Sequence, residues 1–278
     1  MDLIDREKTL RREIVRACQL LYARGLIAAT DGNISARLDE EHLVTTPSGL
    51  AKGLLQEADL VVTDPPYNVA YEGNAGTIQN DNMESAKFHA FLLAAYRRMY
   101  ENLVDGGSIY VFHADRETVN FRTAFTEAGF FCHQTCIWVK NSPVLGRCDY
   151  QYNHEPILVG WKPTAGHKWY ADRKQRTTWS FDRPSKSKHH PTMKPVALVA
   201  YPIVNSSLTN AIVLDPFGGS GSTLIACEQT GRICRTVELD EKFCDVIVKR
   251  YIEFKGSDTD VFLIRGVQKI PFKKAQKL

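Results

Sequence analysis

Apolar and polar residues alternate along this chain with two different periods, and each period predicts its own elements. From Arg6 to Arg24, Leu10, Ile14, Ala17 and Leu21 follow helical spacing until Gly25 stops the run. Short strand-like pieces come next, around Asp31-Gly32-Asn33-Ile34-Ser35 and His42-Leu43-Val44-Thr45, ending at Pro47-Ser48-Gly49. Leu60-Val61-Val62-Thr63 is a continuous apolar run, which predicts a strand buried on both faces of a parallel sheet, and it leads straight into Asp64-Pro65-Pro66-Tyr67. A helix follows with Phe88, Phe91, Leu92, Ala95 and Met99 on one face, then a turn at Gly106-Gly107 and a strand over Ser108 to Phe112. A second helix is predicted from Glu117 to Ala128 and a strand from Phe130 to Val139; periodicity then weakens until His190. It returns as a helix from Val196 to Val204 that Pro202 interrupts, a strand over Ala211 to Leu214, a helix starting near Ser222, a strand from Ile233 to Leu239 and a helix from Glu241 to Phe254. Helices alternating with apolar strands predict an α/β fold, an open and mostly parallel sheet with helices on both faces, preceded by a short N-terminal α+β fragment.

Composition adds constraints. The 278 residues are 44% hydrophobic and 24% charged, ordinary globular usage that argues against a disordered or fibrous chain. No run of about 18 apolar residues is present to cross a bilayer, and Met1-Asp2-Leu3-Ile4-Asp5 lacks the features of a signal peptide, so a cytoplasmic location without membrane association is expected. Seven cysteines, an odd number without a C-x-x-C pair, indicate neither a disulfide framework nor a zinc knuckle, and no metal is expected. The net charge of +3 is too small to imply nucleic acid by itself, but its distribution is uneven. Lys168, Arg173, Lys174, Arg176, Arg183, Lys186 and Lys188 crowd one stretch, interleaved with Trp161, Trp169, Tyr170 and Trp179. Such a mixture suits a phosphate-contacting surface, with a solvated loop as the alternative.

Two motifs sit at strand ends. In an open α/β sheet ligands bind beyond the carboxyl ends of the strands, so Asp64-Pro65-Pro66-Tyr67 and Asp215-Pro216-Phe217-Gly218-Gly219-Ser220-Gly221-Ser222-Thr223 are expected to share one crevice. The glycines let backbone approach a ligand closely, and the helix behind them offers free N–H groups to a carboxylate or phosphate. No Lys-Ser or Lys-Thr follows as in a P-loop, and the third glycine of the dinucleotide fingerprint is missing. Glu238, expected at the end of the next strand, is placed to hold ribose hydroxyls, with helix capping as the alternative. In the first motif, two prolines remove donors and leave carbonyls, the Asp64 carboxylate and the Tyr67 ring facing outward. Acceptors at Asp64 and the Pro65 carbonyl, drawing on both N–H bonds of an exocyclic amine, make that nitrogen more nucleophilic. A base must leave the duplex to reach them, and Tyr67 can stack on it.

From about Ala58 onward the chain resembles DNA amino-methyltransferases of the β arrangement, in which the catalytic motif precedes target recognition and the cofactor motif comes last. The resemblance implies that Asp64, Pro65, Pro66 and Tyr67 are catalytic, and that Asp215, Phe217, Gly219, Ser220, Gly221, Ser222 and Glu238 bind S-adenosylmethionine. His190-Pro191-Thr192-Met193-Lys194-Pro195 matches the segment shaping the cofactor's methionine pocket, which adds Thr192 and Lys194. Ile137-Trp138-Val139-Lys140 and His154-Glu155-Pro156-Ile157-Leu158-Val159 resemble the segment supporting the target base. The basic stretch, within a target-recognition-like segment at 141–190, falls where the family contacts DNA. Double-stranded DNA is therefore the expected partner, and a homodimer is compatible with the sequence. A motif beginning with Asp resembles N6-adenine enzymes more than N4-cytosine enzymes, which remain the alternative. The C5-cytosine class needs a Pro-Cys nucleophile, and no proline here precedes a cysteine.

The opening residues resemble the class II aldolase and adducin family through Asp31-Gly32-Asn33-Ile34-Ser35, Thr46-Pro47-Ser48-Gly49 and Leu50-Ala51-Lys52-Gly53. The zinc-binding histidines of those aldolases have no counterpart before the methyltransferase match, so aldolase activity is not expected. The chain is thus divided into a fragment at 1–55 and a methyltransferase domain at 56–278. Methyltransferases of this type usually carry a strand ending in Gly-Asp before the catalytic strand, beside the cofactor's adenine, and no Gly-Asp precedes Asp64. A DNA-binding fusion product with an impaired cofactor pocket is the competing expectation.

Overall fold

The computed structural model describes residues 3–24, 34–45, 56–70, 72–73, 76–77, 79–144, 148–183, 193–265 and 268–276. Asp31-Gly32-Asn33, residues 46–55, Lys186, Lys188 and His190-Pro191-Thr192 lie outside the described residues. Two compact units emerge, one made of Met1–Glu57 with Ser257–Leu278 and the other of Ala58–Gly256. The sequence divides at 55/56, close to the start of the second unit; that unit closes at Gly256.

In the first unit, α1 (Leu3–Ala23) buries Ile14 and Cys18, four residues apart on one face. β1 (Ser35–Arg37) pairs antiparallel with β2 (Leu43–Thr45). Their turn is held by the Asp39 carboxylate, which accepts the backbone N–H groups of Glu41 and His42.

The second unit begins with β3 (Ala58–Thr63), where Leu60, Val61 and Val62 are buried, each side chain contributing about 1.5–3 kcal/mol. A two-residue ladder, β4 (Glu72–Gly73) with β5 (Gly76–Thr77), follows. α2 (Ser85–Glu101) is capped by the Glu84 carboxylate, which accepts the Ala86 N–H, and it buries Phe88, Leu92, Tyr96 and Met99. β6 (Leu103–Phe112) runs through the glycine pair at which a turn was expected. Gly106 takes φ 74° and gives its N–H to the Lys162 carbonyl, so an irregularity in register replaces the turn. Then come α3 (Thr118–Glu127), β7 (Phe131–Val144), β8 (Tyr152–Trp161), β9 (Thr178–Ser180), α4 (Val196–Ser206), β10 (Ile212–Asp215), α5 (Ser222–Thr230), β11 (Ile233–Thr236) and α6 (Glu241–Lys255).

Among the described residues, seven strands form one sheet in the order β11-β10-β3-β6-β8-β7-β9. β11, β10, β3 and β6 are mutually parallel, β8 is antiparallel to both its neighbours, and β9 runs parallel to β7. Val61 faces the cluster built with α2 and α3, whereas Leu60 and Val62 face the one built with α4 and α5, so helices cover both faces. β8 lies in the stretch where periodicity weakens. Its run of buried residues at 156–158 has no polar alternation to reveal a strand. α4 continues through Pro202, where one backbone hydrogen bond is lost, because Leu198, Val199 and Ile203 bury against the sheet. β11 stops at Thr236, which leaves Glu238 in the following loop rather than at a strand end.

The chain closes with β12 (Phe262–Arg265), β13 (Gln268–Pro271) and α7 (Phe272–Ala275), a hairpin and a helical turn. The Lys269 ammonium lies 3.9 Å from the Phe262 ring centroid. No helix among the described residues is long and apolar enough to cross a membrane.

Candidate active site

β3 and β10 lie side by side, Val213 opposite Leu60 and Leu214 opposite Val61, so their carboxyl ends meet. From β3 the chain passes through α2 to β6 on one side; from β10 it passes through α5 to β11 on the other. A sheet whose connections diverge in this way opens a crevice between the two strand ends. The two motifs flank it, as the sequence predicts, and a hydrogen bond joins them: the Thr63 hydroxyl donates to Asp215 Oδ1 at 2.9 Å.

The Asp64-Pro65-Pro66-Tyr67 loop is fixed from behind. Buried Asp81 accepts the Tyr67 N–H at 2.8 Å, and Asn68, in the left-handed region at φ 58°, exchanges two hydrogen bonds with the Met83 backbone. The Tyr67 ring meets Phe121 edge-on at 6.3 Å, and its hydroxyl donates to Asp64 Oδ1 at 2.5 Å. Lys194 Nζ stands 2.7 Å from Asp64 Oδ2, 2.9 Å from the Tyr67 hydroxyl and 3.2 Å from Glu155 Oε2. Glu155 in turn receives Lys140 Nζ at 2.6 Å. Burial pushes the Asp64 carboxyl up from its ordinary range, and the Lys194 ammonium opposes that rise. At Glu155, burial acts in the same direction, but Lys194 and Lys140 together outweigh it and hold the group below the usual range. Lys194 loses basicity to burial and regains more from Asp64 and Glu155.

The glycine-rich loop is tied together by Asp215. This buried carboxylate accepts the Thr63 and Thr223 hydroxyls and the Phe217 N–H, and burial, only partly opposed by these donors, raises its pKa to about 7. Asp215 therefore joins the two loops from inside. Gly221, at φ 78°, starts α5; a Cβ there would sit 3.1 Å from Ile247 Cγ2. Glu238 accepts the N–H groups of Gly219 at 2.6 Å and of Leu239 and Asp240 at 2.9 Å each, so it braces the loop while lining the crevice. The Arg250 guanidinium donates to the Ser220 carbonyl, and the Ser222 hydroxyl donates to the Lys194 carbonyl.

One cavity of about 1150 Å³ collects most of the expected residues: Asp64, Pro65, Pro66 and Tyr67 on one side, Asp215, Phe217, Gly219, Ser220, Ser222 and Glu238 on the other, with Lys194 and Arg183. Its size exceeds the roughly 300–1,000 Å³ of a single-ligand pocket, which suits two occupants. Gly221 is not part of the lining, and Thr192, Lys186 and Lys188 lie outside the described residues. The described residues of the basic stretch do not converge on the cavity. Arg183 reaches its wall, Arg173, Lys174 and Arg176 are exposed beside β9, and Lys168 lies 3.6 Å from Asp59 at the start of β3, the opposite end of the sheet. Sequence reasoning passed over Asp81, Thr63 and Thr223. Asp81 carries no local signal, while Thr63 directly precedes the first motif and Thr223 closes the second.

Residues 58–249 match the N6/N4 DNA methylase family. Residues 12–102 match the N-terminal domain of class II aldolases and adducins, overlapping the first match from 58 to 102. YubD of Escherichia coli (strain K12), named as a methylase, is 32% identical over 187 residues, covering 66% of this chain and 78% of its own. The type II methyltransferase M.HinfI of Haemophilus influenzae is 27% identical over 246 residues, 75% of this chain and 67% of that protein. Among solved structures, the M1.HpyAVI complex with SAM superposes with a TM-score of 0.56 at 26% identity, covering 70% of this chain and 90% of that one.

Proposed function

This chain belongs to the DNA methylase family, and we propose that it transfers the methyl group of S-adenosylmethionine to the exocyclic N6 amine of an adenine flipped out of double-stranded DNA. The observation that carries the reading is the juxtaposition of Asp64 and the glycine-rich loop across one crevice, joined through Thr63 and Asp215.

The residues present fit the cofactor. Gly219 and Ser220 bring backbone to the cavity wall, Phe217 offers an aromatic face, and Glu238, which braces the loop from beyond β11, lines the same wall with acceptor capacity on Oε2 left for a ribose hydroxyl. Bound there, S-adenosylmethionine supplies an electrophilic methyl group on a sulfonium. Asp64 and the Pro65 carbonyl accept the two N–H bonds of the target amine and draw electron density onto its nitrogen. Tyr67 presents a ring for stacking, and Arg183 meets the DNA backbone at the rim. Transfer is direct, with no covalent intermediate on the protein.

N4-cytosine is the second reading, because the matched family spans both amines and the same acceptors serve either base. An impaired cofactor pocket is the third, favoured by β11 lying at the sheet edge among the described residues while Val237 and Leu239 beyond it are exposed. Calorimetric titration with S-adenosylmethionine decides the third reading: saturable one-to-one binding is expected, and folded protein that does not bind would establish the impaired product.

A further inference from the structure

The cavity wall contains a chain of alternating charges, Lys140, Glu155, Lys194 and Asp64, contributed by β7, β8, the segment leading into α4 and the loop after β3. Lys140, Glu155 and Lys194 are all nearly shut off from solvent, with side chains 7%, 17% and 6% exposed. Two carboxylates and two ammonium groups leave no net charge. The Tyr67 hydroxyl, 2.5 Å from Asp64 Oδ1 and 3.2 Å from Glu155 Oε2, gives its one proton to the nearer carboxylate and accepts from Lys194. The Lys194 ammonium donates to Asp64 Oδ2 and to the Tyr67 oxygen, and it forms an ion pair with Glu155 Oε2 at 3.2 Å. These contacts turn the ammonium toward Asp64, Tyr67 and Glu155. The Lys194 carbonyl meanwhile accepts the Ser222 hydroxyl of the glycine-rich loop. Apolar side chains of similar volume often serve stability as well as a buried ion pair does. A fully paired ionic chain that ends on the one carboxylate facing the target amine is therefore better explained by chemistry than by packing.

We propose that Lys140, Glu155 and Lys194 are positioning residues for methyl transfer: Lys140 anchors Glu155, Glu155 orients Lys194, and Lys194 aims the Asp64 carboxylate and the Tyr67 hydroxyl. The proposal rests on the methyl-transfer reading above and assigns Lys194 to the catalytic loop, where the sequence places it with the cofactor. Glu155 is the informative position because it touches neither the amine nor the cofactor in that reading.

Two measurements on the full chain test it. In protein carrying ¹⁵N-lysine, a lysine ammonium signal protected from exchange at neutral pH is expected in the wild type, absent in Lys194→Gln and broadened in Glu155→Gln. Single-turnover methylation of unmethylated bacterial genomic DNA should fall about 100-fold in Glu155→Gln, with the affinity for S-adenosylmethionine unchanged. Should Glu155→Gln not fold, Lys140→Met serves instead and should show a smaller loss in the same direction. Turnover within about threefold of wild type in the folded variant, or a wild-type spectrum without a protected ammonium, would overturn the proposal. A wild type that methylates nothing defeats the functional reading instead, and the ammonium spectrum, which needs no turnover, still decides whether the ionic chain exists.

Discussion

In the proposed reaction Asp64, a partly buried carboxylate, stays ionised to accept N–H bonds, and the groups facing it decide whether it does. They are Lys194, Tyr67 and Glu155, with Asp215 beyond Thr63. Burial raises its pKa and Lys194 holds it down, so removing Lys194 raises it further. In Lys194→Gln the acid limb of the methylation rate should move to higher pH, with activity partly regained on the alkaline side. A limb that stays in place would show that Lys194 does not govern Asp64. Asp64→Ala should lower methylation by about 10²–10³-fold while leaving cofactor affinity unchanged. Asp215 offers a test of stability. Its folded pKa of about 7 lies above that of an unfolded Asp, so its contribution is fully present at acid pH and lost as pH rises toward 7. Compared with wild type, Asp215→Asn should become relatively more stable between about pH 4 and 7, by a difference on the order of 4 kcal/mol in urea unfolding. Individual residues were legible where a motif is contiguous, as in Asp64-Pro65-Pro66-Tyr67. The contact between Lys194 and Asp64 spans 130 positions, and Asp81 bonds Tyr67 from 14 residues away; no local pattern encodes either.

Elements were legible wherever one period dominated. β3, α2 and α6 match their apolar patterns, because a strand buried on both faces and a one-sided helix each leave a distinct signature. Three departures share a cause: tertiary context overrode a local signal. Backbone pairing with Lys162 keeps β6 in the sheet through the left-handed Gly106, burial carries α4 past Pro202, and β8 hides within a stretch without alternation. The Gly221 turn is where element and site meet, since its left-handed backbone starts α5 and turns the loop toward the crevice. Gly221→Ala forces a side chain into that conformation against Ile247 and should cost about 1–3 kcal/mol of stability, with weaker cofactor binding in calorimetry. A variant as stable as wild type would mean that the loop can adopt another path.

Across the whole molecule, the modest charge of +3 places the burden of DNA binding on local geometry rather than on a global field. Arg183 lines the crevice whereas Lys168 is at the far end of the sheet beside Asp59, so the two should behave differently although the sequence groups them. Arg183→Ala should weaken DNA binding and reduce the salt slope by about 0.9, while Lys168→Ala leaves both unchanged in fluorescence anisotropy. Equal effects would mean that DNA wraps much further around the protein. The matches at 12–102 and 58–249 describe a methylase whose N-terminal segment resembles a different family, which makes activity the decisive property. The most direct measurement is mass spectrometry of nucleosides from unmethylated DNA incubated with the protein and isotopically labelled S-adenosylmethionine. Labelled N6-methyldeoxyadenosine is the predicted product, formed about 10²–10³-fold more slowly with Asp64→Ala; labelled N4-methyldeoxycytidine would transfer the account to the other amine, and no labelled nucleoside from protein that binds the cofactor would contradict it.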